Sequence, residues 1–359
     1  MSNELTVTPT TTPRPRPEAD GPAGAVLTDH AFFMRTGKRR TWQGLTVADR
    51  DGIPALRPTA AAVLAGQTVV DEFAAYRLAD GTVAVFRPDS HIKRLNNGAR
   101  RLAMPQVDFD RVWSSVRAMV ELDEGWLPRE AGASLRLRAV LAADGTELTA
   151  GPADACLFYV LGSVPAAAAP RPLKAMTLDG YVRAWPGGTG DLNTAGGLAA
   201  GVVPTEIAAN YGNDHVLWLD GEGRFVQQIG ELNAFFVIDG VLTTPALDRT
   251  VLPGVTRDSV VKLARDAGTA VAERRVELAE VLKGIADGSV TECFATGTAA
   301  GVAPVVSLGH RGEEYRLASE EAGPVTARFR DLLDGIHRGE SVDRFGWMRR
   351  TTEVAPVHA

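Results

Sequence analysis

Apolar and polar residues follow two different periods in the first half of the chain, and each period predicts one kind of element. The run GTVAVF (81–86) predicts a strand, and RPDSHIKRLNNGARRLAM (87–104) puts its apolar residues on one helical stripe, with Asp89 as the candidate cap. A second helix is predicted after Asp108, because apolar residues recur there with a period of roughly 3.6. ASLRLRAVL and ACLFYVL then predict two strands.

The second half of the chain opens with strands that pair through glycine-containing turns. HVLWLD and FVQQIG form one such pair, and NAFFVI and VLTT form another, so antiparallel sheet is predicted. The period changes in LPGVTRDSVVKLARDAG, where Thr256 is the candidate helix cap and Gly268 the residue just past the helix end. This pattern predicts an α+β chain divided into a disordered tail (1–25), an α+β domain (26–163), a Pro/Ala-rich linker (164–172) and a second domain (173–359).

Composition narrows the class of protein. The 359 residues are 45% apolar and 23% charged, with a net charge of −6, so neither nucleic acid nor an anionic membrane is an expected partner. The only two cysteines, Cys156 and Cys293, lie in apolar runs and suit a reducing compartment. The N-terminal stretch lacks the apolar core of a signal peptide, and no apolar run is long enough to span a bilayer. A cytoplasmic protein without a metal site is therefore expected.

Several short motifs suggest anion binding, although each has an ordinary structural alternative. In PGVTRDS, a glycine precedes a helix whose N-terminal N–H groups favour an anion, but Thr256 serves equally well as a cap alone. ATGTAAG (295–301) is a turn of small residues that a ligand can approach closely, yet such turns are common. Arg136 and Arg138 share one face of a predicted strand, where solvated arginines are the usual explanation, and the same holds for Arg94 on its helix.

Taken together, these stretches resemble the branched-chain amino acid aminotransferases, fold-type IV enzymes that use pyridoxal phosphate. The blocks that carry the resemblance run in the family's order from residue 28 to residue 348, and they include GQTVVDEFAAYR, FRPDSHIKRLNNGARRLAMP, YVRAWPGGTGD, IGELN, TPALDRTVLPGVTR and TGTAAGVAPV. The resemblance implies a fold-type IV aminotransferase-like α+β fold, with a small α+β domain and a larger domain built on a β-barrel core. It also implies a homodimer.

The resemblance assigns a phosphate-binding cup that this sequence retains. Its predicted members are Arg94, Val255, Thr256 and Thr298. Arg138 resembles an arginine that the family keeps near the substrate carboxylate, and the Thr298–Ala299 backbone lies where that carboxylate would bind. In this context, anion binding becomes the preferred interpretation of these motifs.

The positions that carry the family's covalent chemistry are changed. Asn193 replaces the lysine that would hold the cofactor, Leu198 replaces a tyrosine at the cofactor's ring oxygen, and Gln228 replaces the glutamate at the pyridine nitrogen. Loss of a positioned base alone lowers the rate by roughly 10² to 10⁴. Ordinary transamination is therefore expected to be effectively absent, with Lys174 as the least implausible substitute amine.

Further changes surround the predicted pocket. Ala65 and Val70 replace an aromatic wall, Glu72 replaces a glycine, Arg136 replaces a tyrosine, and Glu231 replaces a small polar residue. The pocket is expected to be wider and more ionic than in the family. Because unpaired buried charges are unfavourable, either Glu72 or Glu231 pairs with Arg136 or Arg138, or these groups serve a charged ligand.

The resulting functional prediction is a repurposed acid–base enzyme without a covalent cofactor. It would act as an isomerase, lyase or cyclase on a small anionic metabolite of specialised metabolism, with Glu231 or Glu72 as proton carrier and Arg136 and Arg138 as an anion clamp. Asp71 and His91 are weaker candidates for proton transfer. Two alternatives stay open: an enzyme that binds pyridoxal or pyridoxamine phosphate non-covalently, and a non-catalytic homologue that binds a ligand or an active relative.

Overall fold

A computed structural model gives the structure of the chain and describes residues 4–16, 25–36, 40–130, 132–145, 151–165 and 171–352. Contacts divide the chain into two compact units, Met1–Ala168 with Gly335–Ala359, and Ala169–Asp334. Residues 335–352 thus pack with the first unit, whereas the sequence analysis places them in the second domain. The physical reason is a C-terminal strand that joins the first unit's sheet. Most of the predicted linker, residues 166–170, lies outside the described residues.

Each unit is built on a sheet of strands. In chain order they are β1 (Thr6–Val7), β2 (Ala25–Thr36), β3 (Trp42–Asp49), β4 (Thr68–Arg77), β5 (Val83–Phe86), β6 (Ser134–Ala143), β7 (Cys156–Pro165), β8 (Leu173–Met176), β9 (His215–Leu219), β10 (Val226–Ile229), β11 (Leu232–Ile238), β12 (Val241–Pro245), β13 (Val271–Arg274), β14 (Val290–Gly297), β15 (Gly301–His310), β16 (Glu313–Arg316) and β17 (Met348–Arg350).

The helices lie between these strands. They are α1 (Ala61–Leu64), α2 (Pro88–Arg101), α3 (Phe109–Leu122), α4 (Ala195–Ala199), α5 (Val202–Asn210), α6 (Val255–Asp266), α7 (Leu278–Asp287) and α8 (Pro324–Arg338). Within the described residues, none of the helices combines the length and apolar character needed to cross a bilayer.

The first unit is built on an eight-stranded sheet in the order β1-β3-β2-β7-β6-β4-β5-β17. Helices α2 and α3 cover it, and their apolar stripes supply Ile92, Leu95, Val116 and Met119 to the core. Period-2 alternation in β6 is confirmed, since Leu135 and Leu137 are buried there while the arginines lie on the opposite face.

The second unit contains a closed barrel. Strands β10, β9, β8, β15, β14 and β11 pair in that order, and β11 pairs again with β10 to close the ring. Both predicted hairpins are confirmed: β9 pairs with β10 and β11 pairs with β12, the latter through Asp239 and Gly240 at positive φ. The predicted β-barrel core is therefore confirmed.

Both predicted helix caps are wrong. Arg87, not Asp89, is the N-cap of α2, and Gly254, not Thr256, is the N-cap of α6. In both cases the helix begins two residues earlier than the predicted cap indicated. The helix predicted after Asp108 is confirmed as α3, and the Asp108 carboxylate caps it by accepting the Arg111 N–H.

The prediction of a disordered tail is wrong for residues 4–16. Strand β1 pairs in parallel with β3, and the Arg14 guanidinium forms ion pairs with Asp49 at 2.9 Å and Asp51 at 2.6 Å. Thr10 also donates its hydroxyl to Asp49 at 2.6 Å. These polar contacts hold a segment whose Thr/Pro-rich composition alone resembles a disordered chain. The rest of the predicted tail, residues 1–3 and 17–24, lies outside the described residues.

Candidate active site

Asn193 lies at the end of the glycine-rich loop, immediately before helix α4. The helix begins there because the Thr194 hydroxyl caps it, accepting the Gly197 N–H at 3.2 Å. Leu192 is buried beside it and donates its N–H to the Thr189 carbonyl at 3.0 Å. The half-buried Asn193 carboxamide makes no hydrogen bond with a described residue, so its polar atoms are available to a ligand.

A cavity of about 620 Å³ in the second unit contains Asn193, and we call it the Asn193 cavity. It brings together five of the residues predicted from sequence, namely Asn193, Leu198, Gln228, Glu231 and Ala299. Apolar side chains form much of the remaining wall, including Leu192, Val202, Trp218, Leu232 and Leu252. Such a mixture of apolar wall and few polar groups is typical of a small-molecule site.

Gln228 is held in a fixed orientation in the wall of this cavity. Its side-chain oxygen accepts hydrogen bonds from Arg183 Nη2 at 2.7 Å and from the Leu252 N–H at 2.7 Å. Arg183, which the sequence analysis did not single out, also lines the cavity. Burial lowers the pKa of Arg183 to about 10, so the guanidinium still carries its charge at neutral pH.

His215 is a second cavity residue that sequence reasoning missed. It begins β9, and its ring packs against Gly230, where an added Cβ would lie 2.6 Å from Nδ1. Burial lowers the pKa of His215, so the imidazole is neutral at pH 7 and able to accept a proton. Its only sequence signal was a histidine at a strand start, which carries no information about a cavity assembled from distant segments.

The predicted phosphate contacts of the second unit lie at the ends of elements. Val255 and Thr256 occupy the first turn of α6, and both are buried. Thr298 lies in the tight turn between β14 and β15 that the small-residue motif predicted. None of these three residues is among those that line the Asn193 cavity. Their role in binding phosphate stays a prediction.

In the first unit, Arg94 forms an ion pair with Asp71. Its Nε and Nη2 donate to the two carboxylate oxygens of Asp71 at 2.7 and 2.8 Å, and His91 Nδ1 lies 2.7 Å from the same carboxylate. Burial disfavours the charged form of Arg94, but the Asp71 carboxylate outweighs it and the pKa of Arg94 is raised. Asp71 and His91, weak candidates for proton transfer, are therefore parts of a buried ionic cluster.

Glu72 is also paired within the first unit. Its carboxylate accepts Arg138 Nη2 at 2.8 Å and Nε at 3.1 Å, and it lies 3.9 Å from Arg136 Nη1. Of the alternatives that the sequence left open, the pairing of Glu72 with these arginines is the one observed. The two replacements of the aromatic wall are nearby in sequence: Ala65 is exposed after α1, and Val70 is half-buried in β4.

None of the lysines of the second unit lines the Asn193 cavity, as judged over its described residues. Lys174 lines a separate pocket with Tyr211 and His310. Lys262 pairs with Asp258 at 2.8 Å, and Lys283 pairs with Asp287 at 3.0 Å. The described part of this unit thus gives the cavity no side-chain amine.

Comparison with known proteins extends over nearly the whole chain. A branched-chain-amino-acid aminotransferase of Mycobacterium tuberculosis is 38% identical over 337 residues, which cover 91% of each chain. Branched-chain-amino-acid aminotransferase 2 of Bacillus subtilis is 34% identical over 97% of this chain and 96% of its own.

Solved structures confirm the fold-type IV aminotransferase-like fold. The branched-chain amino acid aminotransferase of Escherichia coli superposes with a TM-score of 0.73 at 22% identity, over 90% of this chain and 100% of its own. The enzyme of Thermobaculum terrenum in its PLP-form gives 0.73 at 20% identity, over 90% and 99%. The model of the family described as amino-transferase class IV matches residues 73–308. The chain therefore belongs to the class IV aminotransferase family, with branched-chain aminotransferases among its relatives.

Proposed function

We propose that this protein is a converted member of its family, an enzyme that performs acid–base chemistry on a small anionic metabolite without a covalently bound cofactor. The observation that carries the proposal is the presence of Asn193, rather than an amine, in the cavity. A carboxamide nitrogen is neither nucleophilic nor basic, so it neither forms a Schiff base nor carries a proton. An isomerase, a lyase and a cyclase all fit this chemistry.

The residues present do not fit a catalytic pyridoxal phosphate. Covalent attachment needs a lysine, and none lines the cavity among the described residues of this unit. Use of the ring as an electron sink needs an acid beside the pyridine nitrogen, whereas position 228 is a neutral amide whose oxygen already accepts two hydrogen bonds. The proposed reaction therefore needs no pyridoxal phosphate, and non-covalent binding of this cofactor is the less favoured alternative.

Glu231 is the proton carrier that the cavity supports best. It lines the cavity, it is exposed, and it forms no ion pair with a described residue. Glu72, the other candidate, has its carboxylate held by Arg138 at 2.8 Å and lies 3.9 Å from Arg136. His215 lines the same cavity as Glu231 and is neutral, so it supplies a second group able to accept a proton.

The wall of the Asn193 cavity indicates the size and polarity of its ligand. The cavity has room for a metabolite of moderate size, and its apolar side chains favour an aliphatic or aromatic skeleton. Arg136 and Arg138 remain candidates for an anion clamp, although both now face Glu72. A homodimer and a cytoplasmic location stay predictions.

Borohydride reduction tests whether any lysine of the protein forms a Schiff base with pyridoxal phosphate. Wild-type protein is mixed with pyridoxal phosphate and treated with borohydride, and intact mass spectrometry measures any pyridoxyl adduct. We expect no specific adduct in the wild type, because Asn193 offers no amine. Asn193→Lys restores that amine and is expected to gain an adduct at residue 193 if the cavity admits the cofactor, with Asn193→Gln as the matched control.

One outcome overturns the proposal. A stoichiometric adduct in the wild-type protein, mapped by peptide sequencing to any lysine of the chain, would show that covalent attachment survives. Peptide mapping matters because exposed lysines react weakly and give scattered, substoichiometric labelling.

A further inference from the structure

Arg183 and Gln228 line one corner of the Asn193 cavity. The contacts there fix which end of the Gln228 amide accepts hydrogen bonds and which end donates. The Gln228 oxygen faces two donors, Arg183 Nη2 and the Leu252 N–H, each at 2.7 Å. An amide held in this way has its oxygen and nitrogen assigned without ambiguity, since a flipped amide would place its NH₂ against two other donors. Gln228 Nε2 makes no hydrogen bond with a described residue, and the side chain lines the cavity, so the amide has a donor left for a ligand.

Arg183 adds a positive charge to the same corner. Its Nη2 donates to the Gly190 carbonyl at 2.7 Å, to Gln228, and to the Thr250 carbonyl at 2.8 Å, all of them neutral acceptors. Within the described part of the chain, Arg183 forms no ion pair, and Glu231 and Asp191 act on it only at longer range. The Nη1 atom likewise makes no hydrogen bond with a described residue, and Arg183 lines the cavity, so its charge is available to a ligand.

Residue 228 decides whether this charge is available. A carboxylate at that position would accept from Arg183 and neutralise it, whereas the glutamine accepts the same hydrogen bond and leaves the charge in place. An incoming ammonium group would meet two donors and a like charge. An incoming oxyanion would meet complementary partners for both of its lone-pair directions.

We infer that the Arg183–Gln228 corner binds an oxyanion of the ligand, the carboxylate or enolate oxygen of a small organic acid whose carbon skeleton packs on the apolar wall. Buried charge-assisted hydrogen bonds of this kind are both strong and geometrically selective. The inference deepens the proposed function and rests on it, because it assigns the anionic end of the metabolite to one place in the cavity. Glu231 and His215, which line the same cavity, are then the groups left to move a proton.

Calorimetric titration of the full-length protein with 4-methylvalerate and with its neutral amide, 4-methylvaleramide, tests this inference. We expect the carboxylate to bind at least ten-fold more tightly than the amide. Gln228→Glu is expected to remove that preference by neutralising Arg183 and repelling the ligand. Gln228→Met keeps the charge but loses one donor, so its carboxylate affinity is expected to fall only a few-fold.

A crystal soaked with 4-methylvalerate provides a measurement independent of any variant. A carboxylate oxygen about 3 Å from Arg183 Nη1 or Gln228 Nε2 supports the inference, whereas a carboxylate bound elsewhere overturns it. Equal affinity for acid and amide across a series from acetate to 4-methylvalerate also overturns it, as does a Gln228→Glu protein that keeps the preference.

Failure of the oxyanion inference can be distinguished from failure of the proposed function. If carboxylate binding depends on Gln228 but turnover does not depend on Glu231, the acid–base assignment is wrong and the oxyanion inference is supported. If turnover needs Glu231 but the carboxylate preference is absent, only the corner is wrong.

Discussion

At the scale of single residues, the two acids predicted from sequence have different surroundings. Glu231 lines the Asn193 cavity without an ion pair to a described residue, whereas Glu72 accepts two hydrogen bonds from Arg138. A proton carrier must reach the substrate, and a carboxylate whose oxygen already accepts hydrogen bonds from a guanidinium is poorly placed to do so. The surroundings therefore separate two residues that the sequence treated as equivalent.

Glu231→Gln is expected to lower turnover of a substrate found by screening keto acids and their conjugates by roughly 10² to 10⁴, the usual contribution of a general acid or base. Binding should change little, because glutamine has nearly the same shape. Steady-state kinetics and calorimetry measure the two effects separately.

Glu72→Gln is the matched control, since it makes the same chemical change in the other acid. Glu72→Gln should weaken the ion pair with Arg138 and so lower the free energy of unfolding, while turnover should change little. Turnover that survives removal of both carboxylates would refute the acid–base assignment.

The sequence predicted single residues well where one segment decides their role and poorly where several do. Asn193 was identified because its neighbours form a recognisable loop, and the structure places it in a cavity. Arg183 and His215 were missed because their importance arises only when the barrel brings β9, β10 and the glycine-rich loop together. No local pattern carries that information.

At the scale of elements, the sequence pattern predicted which segments form helices and strands. The residues at which the helices begin depend on tertiary contacts. The N-cap of α6 is Gly254, where a Cβ would lie 2.0 Å from Asn233 Oδ1 of β11, so this cap position requires glycine. The N-cap of α2 is Arg87, which adopts a left-handed conformation, donates its N–H to the Trp347 carbonyl at 2.7 Å and lies over the Trp347 indole ring. Capping preferences of Thr256 and Asp89 could not reveal either contact.

Helix α2 packs on β4 at a glycine, and this contact yields a stability prediction. A Cβ on Gly98 would lie 2.6 Å from Val69 Cγ1 and 3.1 Å from Cγ2, too close for either side chain. Gly98→Ala is expected to destabilise the protein by about 1–3 kcal/mol through overpacking, despite the ~1 kcal/mol by which alanine favours a helix over glycine. Urea denaturation measures the change in free energy of unfolding.

The Val69→Ala background provides the control for this prediction. Removal of both γ-methyl groups opens the space that the new Cβ needs, so Gly98→Ala should become neutral or stabilising there. An equal penalty in both backgrounds would show that the strain comes from somewhere other than this contact.

At the scale of the whole molecule, distant parts of the chain complete the first unit's sheet. Strand β1 extends one edge and β17 extends the other, where it pairs with β5. Strand β1 has only two residues and β17 only three, too few to show a hydrophobic period. For this reason the sequence analysis assigned the N-terminal segment to a tail and the C-terminal segment to the other domain.

The same C-terminal region contains a histidine that makes stability depend on pH. His337 stacks on Tyr76 at 4.3 Å between ring centroids, and its Nε2 is buried without a partner among the described residues. Burial lowers the pKa of His337 from 6.5 to about 3. The unfolded chain takes up the proton first, so this contribution to stability is complete above about pH 6.5 and is lost as the pH falls towards 3.

Between pH 7 and pH 5, this titration is expected to lower the free energy of unfolding by about 2 kcal/mol. His337→Phe keeps an aromatic ring against Tyr76 and removes the titration, so it should lose about 2 kcal/mol less than the wild type over that interval. Urea denaturation at the two pH values gives the difference, in which other titrating groups cancel. Parallel losses in the two proteins would contradict the assignment.

The turn that closes the barrel has a consequence for how this chain can diversify. Strands β10 and β11 meet through only two residue pairs, Gln228 with Asn233 and Ile229 with Leu232, and Gly230 and Glu231 form the turn between them. Glu231 is exposed in this turn and belongs to neither strand, so exchange of its side chain should leave the ladder and the barrel core intact. New reactivity can therefore arise in this turn by single substitutions, while the scaffold that positions it stays under separate selection for folding.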